Sequence, residues 1–393
     1  MSKLVSVLVA FGMILTAGFA CAEDSLITKS NDWWRQATPE NIQEAVKNGA
    51  DVNVTNLDGL TPLMLAVKYN ENPEVCAALI KSGANVAFKT DKGITPLMLA
   101  AGSNQNEKVI ETLIENGADN NAKTFDGVTP LMYAAAYNTN DRVIYTLIKY
   151  GSDLNAKNDK NLTPLMYAVS LNKNFSVIKA LINGGADVNA RNSTGASILM
   201  IAAQYNQTPE VVNELVKLGM DINARNDAGA TVLMVAAQQN PNPQILDVLM
   251  KYGSDISKRD NVGATPLMYA ASNNQNPKII EKLIGYGDNI KTRDNYGANV
   301  LMYAASSNQN PQIIEALLKR GAQVNKKDTR GMTPLMYAAS HNKNPEIIET
   351  LLKYGANAKI RDSSKKTALD YAKSNQALTG TDVYWRINDG MYE

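Results

Sequence analysis

Gly127-Val128-Thr129-Pro130-Leu131-Met132-Tyr133-Ala134-Ala135 is the stretch that decides the fold, because its pattern returns every 34 residues. Thr61, Thr95, Thr129, Thr163, Ser197, Thr231, Thr265, Asn299, Thr333 and Thr367 hold the same place in successive copies, and the block runs nine times without a gap. A fixed period of this length marks a solenoid, in which one unit is too small to bury its own apolar face and stacks on its neighbours. Such stacks present long surfaces, so the expected function is binding and not chemistry.

Residues 59–92 serve as the type copy. Thr61-Pro62 opens a helix with a hydroxyl cap and a proline at the first helical position, where its missing N–H costs nothing. Leu63, Met64, Ala66 and Val67 give apolar spacing with small residues, so neighbouring helices approach closely. Asn70 is expected to end this helix in the left-handed region, which Asn tolerates better than most residues, and Asn stands at this place in all nine copies. Asn72 caps a second helix with Pro73 at its start, and Val75, Cys76, Leu79 and Ile80 form its apolar stripe. Gly83 ends that helix, and Ala84–Lys92 form a polar loop that turns at Gly93.

These residues resemble the ankyrin repeat. Thr129-Pro130-Leu131 with Ala134-Ala135, then Gly151, Asp153, Asn155 and Ala156, fall in that family's order, and the resemblance covers residues 33–393. Two departures are systematic: the family's His is Met in all nine copies, and the turn between the helices is Asn-x-Asn, often followed by Pro. One extra residue there accounts for a period of 34 in place of 33. The resemblance implies an all-α solenoid of helix–turn–helix units with extended hairpin-like loops, used for protein–protein contact through the concave face and loop tips.

The expected organisation is a signal peptide at 1–22, an N-terminal capping unit at 23–60, nine repeats at 61–366 and a C-terminal capping unit at 367–393. Lys3, the apolar run Leu4–Ala17 and Ala20-Cys21-Ala22 read as a secretory signal cut after Ala22. A lipid anchor on Cys21 is the alternative, set against by Gly18 and Phe19. In the first cap, Lys29, Ser30 and Asp32 spoil the first helix, and Trp33 and Trp34 cover the end of the stack. In the last, the repeat dissolves into Val383-Tyr384-Trp385. Removing the signal takes Lys3 away and leaves 38 basic and 38 acidic residues, from 39 and 38, so no nucleic-acid or anionic-membrane partner is implied. Only Cys76 then remains as a thiol, so no internal disulfide is possible. Five N-x-Ser/Thr sequons, at Asn53, Asn161, Asn174, Asn192 and Asn206, matter only in a host that glycosylates.

Chemistry-bearing residues read as structural. The Met row from Met64 to Met336 repeats once per unit, roughly 10 Å apart at ordinary helix packing distance, too far for two sulfurs to share one ion. It reads as core filler. Cys76 takes an aliphatic position and reads as a buried, inert thiol. His341 is the only histidine, on an exposed position. Asp119, Asp153, Asp187 and Asp221 repeat in loops and read as turn stabilisers. No P-loop, G-x-S-x-G, H-E-x-x-H or C-x-x-C pattern occurs, so no enzyme, cofactor or metal is expected.

Two rows are candidates for partner binding. Lys89, Lys123, Lys157, Arg191, Arg225, Arg259, Arg293, Lys327 and Arg361 hold one basic position at the loop tips. Tyr69, Tyr137, Leu171 and Tyr205 precede the Asn turn in the N-terminal half, with Phe125 at a nearby tip, whereas the C-terminal half has Gln239, Asn273, Ser307 and His341 there. The resulting expectation is an exported, monomeric, non-enzymatic scaffold, periplasmic or secreted, that binds a protein. The alternative is an inhibitor or effector acting on a foreign or host protein, with a metal carrier or enzyme behind both.

Overall fold

The structure is a computed structural model and describes residues 25–389; the signal segment and its cleavage site lie outside the described residues. Among the described residues there are 22 α-helices and no strand. Each repeat contributes an inner helix, such as Pro62–Tyr69, and an outer helix, such as Pro73–Lys81. Successive inner helices lie closer to one another than successive outer helices do, which puts the inner helices on the concave side. The loops reach past them, and Arg191–Ser197, Arg225–Thr231 and Arg293–Asn299 close isolated antiparallel bridges across the loop bases.

Each inner helix starts as its sequence dictates. The Thr61 hydroxyl accepts from the Met64 N–H at 3.3 Å, and the same bond recurs from Thr95 to Thr333. In three copies the Met sulfur answers it: the backbone N–H of Thr95, Thr231 and Thr333 donates to Met98, Met234 and Met336 at 3.4, 3.3 and 3.4 Å. All nine Met side chains of the row are at most 1% exposed, so they fill the core. Cys76 is buried too, and burial pushes its thiol up to about 12. Outer helices end at glycine: Gly83 has φ +93°, a left-handed conformation that a Cβ would strain.

The Asn between the helices does not adopt the expected left-handed conformation. Asn70 has φ −118° and ψ 128°, and Asn206 has φ −78° and ψ 125°, both extended. The reason lies one repeat away. The Asn104 amide donates to the carbonyls of Val67 and Asn70, both at 2.8 Å, while its Oδ1 accepts from Asn106 N–H at 3.0 Å. Asn206 does the same with Val169, Asn172 and Thr208. Val67 and Val169 are in the last turns of inner helices, whose carbonyls have no partner within the helix. Each buried Asn therefore satisfies the frayed end of the preceding unit. The ladder starts at Asn70 on Trp34 and Ala37 and ends at Asn375 on Ala339 and Asn342. The second Asn of the turn adds a parallel row: Asn106 caps its outer helix and donates to Glu71 at 2.8 Å.

Both ends are better formed than the sequence suggests. Ser30 and Asp32 begin a short helix, Asn31–Gln36, instead of preventing one: the Ser30 hydroxyl accepts from Trp33 N–H. Trp34 is fully buried, and Trp33 meets it edge-on with centroids 5.0 Å apart. At the other end the chain does not dissolve but forms Ala368–Ala372 and then Asp382–Asp389, where Val383 and Ile387, one turn apart, are buried against the stack.

Candidate protein-docking face

The nine loop-tip cations divide into two groups. Lys89, Lys123 and Lys157 are exposed and form no hydrogen bond or ion pair among the described residues. From Arg191 to Lys327 each side chain reaches into the next repeat. Arg191 Nη1 donates to the Arg225 carbonyl at 2.8 Å, Arg225 Nη2 to Arg259 at 2.8 Å and Arg259 Nη1 to Arg293 at 3.1 Å. Arg293 Nη2 donates to Lys327 at 2.6 Å, and Lys327 Nζ to Arg361 at 3.1 Å. Arg361 closes the run on its own loop, at the Lys365 carbonyl, 2.7 Å away. Guanidinium suits this job, since its fixed fork can hold a neighbouring carbonyl and the local turn together: Arg293 also donates from Nε to Gly297 at 2.7 Å. The glycine leaves room for it, because a Cβ at position 297 would sit 2.6 Å from Arg293 Nη2.

The helix-end row also belongs to one half. Phe125 is 76% exposed, Tyr137 59%, Leu171 47% and Tyr205 41%. Tyr69, expected in this exposed row, is instead half-buried against the core: its ring is covered by Arg35 at 5.7 Å and Lys68 at 5.0 Å from the centroid, so it presents cations in place of an open apolar surface. Behind the row, Tyr133 packs against Tyr137 with centroids 6.4 Å apart, and burial pushes the Tyr133 hydroxyl up to about 12. His341 is exposed at the matching place in the C-terminal half.

A third row escapes a reading of single repeats. Tyr269, Tyr303 and Tyr337 donate to Asp260, Asp294 and Asp328, each nine residues earlier, at 2.8, 2.8 and 2.9 Å. Tyr371 donates to Asp362 at 2.5 Å. Burial first, and then the carboxylate, hold the hydroxyls of Tyr269 and Tyr303 well above the usual tyrosine range. The same Asp carboxylates accept backbone N–H groups of their own loop, as Asp294 does from Tyr296 and Ala298 at 2.9 and 2.8 Å. The signal lay in the columns: in the last four copies Asp replaces Thr or Asn at the loop and Tyr stands in each inner helix, whereas Tyr133 and Tyr167 are preceded by Thr124 and Asn158. A groove of about 530 Å³ opens here between Tyr296, Tyr303, Ser307, Arg330 and Tyr337.

The loop acids act as expected of turn stabilisers, with Asp119 and Asp153 accepting from Asn121 and Asn155 N–H at 2.9 Å. Among the described residues no group of three His, Cys, Asp or Glu side chains is placed to hold a metal ion, and no helix is long and apolar enough to cross a membrane.

Stacked helix pairs with their loops on one edge make this a binding solenoid, with its surface divided between a tied half and an open half. A family model of ankyrin repeats (3 copies) matches residues 35–124, 131–226, 233–328 and 301–380, and the chain belongs to the ankyrin-repeat family. A search of curated proteins found no significant match. The family is an interaction fold, so a protein–protein scaffold is the class of function that its repeats define.

Proposed function

We propose that this chain is a non-enzymatic, monomeric scaffold, exported to the periplasm or secreted, that holds a protein partner against the concave face and loop tips of its N-terminal half. The observation that carries this reading is a coincidence in one half of the stack. The apolar side chains Phe125, Tyr137, Leu171 and Tyr205 are exposed there, beside three lysines that form no bond elsewhere in the described chain. Aromatic side chains supply affinity at interfaces, whereas unpaired charges at the rim speed encounter. In the other half the tip cations are occupied by carbonyls and the inner tyrosines by aspartates, so both kinds of contact are already used.

A photo-crosslinking residue in place of Leu171 should capture a defined partner in the cell, and one in place of Glu281, exposed on an outer helix, should not. Once that partner is purified, Tyr137→Ala and Tyr205→Ala should speed its dissociation, with each anchor contributing about 2 kcal/mol. Equal capture at both positions, or unchanged dissociation, contradicts the reading. Export rests on the N-terminal segment. Intact mass of the exported protein should show a start at Glu23, and a diacylglycerol adduct on Cys21 would make it membrane-anchored instead.

A further inference from the structure

We infer that the partner docks a polyproline II segment carrying an acidic residue at every third position. This rests on the docking face proposed above and adds the chemistry of its occupant. Lys89, Lys123 and Lys157 stand one per repeat, exposed and unpaired among the described residues. The loop acids Asp91, Asp126 and Asp159 form no ion pair with them. Inner helices pack side by side, so the row has a spacing of roughly 10 Å. A ligand that pairs with all three must present carboxylates at that interval along one side.

Backbone geometry narrows the choice. An extended β-strand returns to the same side every second residue, about 6.7 Å, or every fourth, about 13 Å, and neither matches. A polyproline II helix rises about 3.1 Å per residue with three residues per turn, so every third side chain faces the same way about 9.3 Å apart. Over three lysines its mismatch with the row is between 1 and 2 Å, roughly, within the reach of a flexible lysine stem. The two remaining sides of such a helix are then free for apolar residues. Proline-rich segments in this conformation dock on aromatic-lined grooves, and Phe125, Tyr137, Leu171 and Tyr205 lie exposed in the same half. The conformation also loses little entropy on binding, because it is already populated in the free chain.

The test uses the full chain and two labelled twelve-residue peptides of identical composition. One repeats Glu-Pro-Pro four times; the other places its four glutamates together. Fluorescence anisotropy at low salt should show the spaced peptide binding at least tenfold more tightly. Lys89→Glu, Lys123→Glu and Lys157→Glu combined should abolish that preference, with the circular dichroism melt unchanged as a check on folding. Tyr137→Ala with Leu171→Ala should weaken the spaced peptide and leave its salt dependence intact. Equal binding of the two peptides, no binding of either, or a preference that survives the triple charge reversal overturns the inference. So does tighter binding of a thymidine oligonucleotide or of phosphatidylglycerol vesicles at the same row. If a crosslinked partner still needs Tyr137 and Tyr205 while the peptides fail, the docking face stands and only this account of its occupant falls.

Discussion

The two halves of the stack are built from the same helix pair, yet their loop edges differ. Between Lys89 and Lys157 the tip cations are lysines that form no hydrogen bond or ion pair among the described residues; between Arg191 and Arg361 they are tied to main-chain carbonyls. The inner face changes with them. The N-terminal half leaves Tyr137, Leu171 and Tyr205 exposed, whereas the C-terminal half has polar residues there and locks its inner tyrosines on aspartates. A row of like charges is thus not one feature. The same column ties neighbouring loops together from Arg191 to Arg361, Lys327 included, and stays available at Lys89, Lys123 and Lys157.

The largest effect expected lies in what the two halves share. Asn206→Ala should destabilise by about 3–5 kcal/mol, because it strands two buried carbonyls and the Thr208 N–H. Asn206→Gly should be no better, since the backbone there is extended and glycine's freedom brings nothing. Urea melts in which Gly is clearly milder than Ala would return the left-handed turn and remove the ladder. The corresponding changes at Asn104 and Asn308, one in each half, should cost alike, which confines the difference between the halves to their edges.

Next comes a buried acid that only the C-terminal half contains. Asp288 stands where Ala84, Ala118 and Ala186 stand in other repeats; burial pushes its carboxyl up to about 6, although Leu267 N–H donates to it at 2.7 Å. A carboxyl raised in the fold favours the native state only while protonated. Stability therefore falls as pH rises from about 4, where the unfolded chain loses its proton, through about 6. Asp288→Ala should raise stability by about 1–3 kcal/mol at pH 7.5 and by almost nothing near pH 4. Denaturant melts showing a gap independent of pH would contradict this.

A smaller effect separates the tyrosines. Tyr303→Phe should cost about 1 kcal/mol by removing the bond to Asp294, whereas Tyr137→Phe should cost nothing measurable, since its ring is exposed and its hydroxyl binds no residue described. Equal costs in thermal melts would mean that the Tyr–Asp row adds no stability.

The solenoid was legible because its determinants are local or strictly periodic: the Thr-Pro cap, the Leu-Met pair and the glycine with positive φ each act within one unit. The Asn turn was misread for the opposite reason. Its conformation is decided by carbonyls 34 and 37 residues earlier, which a single repeat does not contain. A clue was present nonetheless: a left-handed position would accept glycine, and none of the nine copies has one. The terminal helix was missed because it breaks the period, although Val383 and Ile387 carry the spacing of a buried face. The candidate site was legible as two columns of residue types. Its division into an open and a tied half was not, because exposure and carbonyl contacts depend on how neighbouring loops lie.

The most direct test of that division compares two triple variants by urea melts: Lys89→Ala, Lys123→Ala, Lys157→Ala against Arg225→Ala, Arg259→Ala, Arg293→Ala. The arginine set should lose about 0.5–1 kcal/mol per side chain, and the lysine set should melt as the wild type does. Equal losses, or a larger loss from the lysines, would contradict the account, because the N-terminal cations would then be holding the stack together and would not be free for a partner.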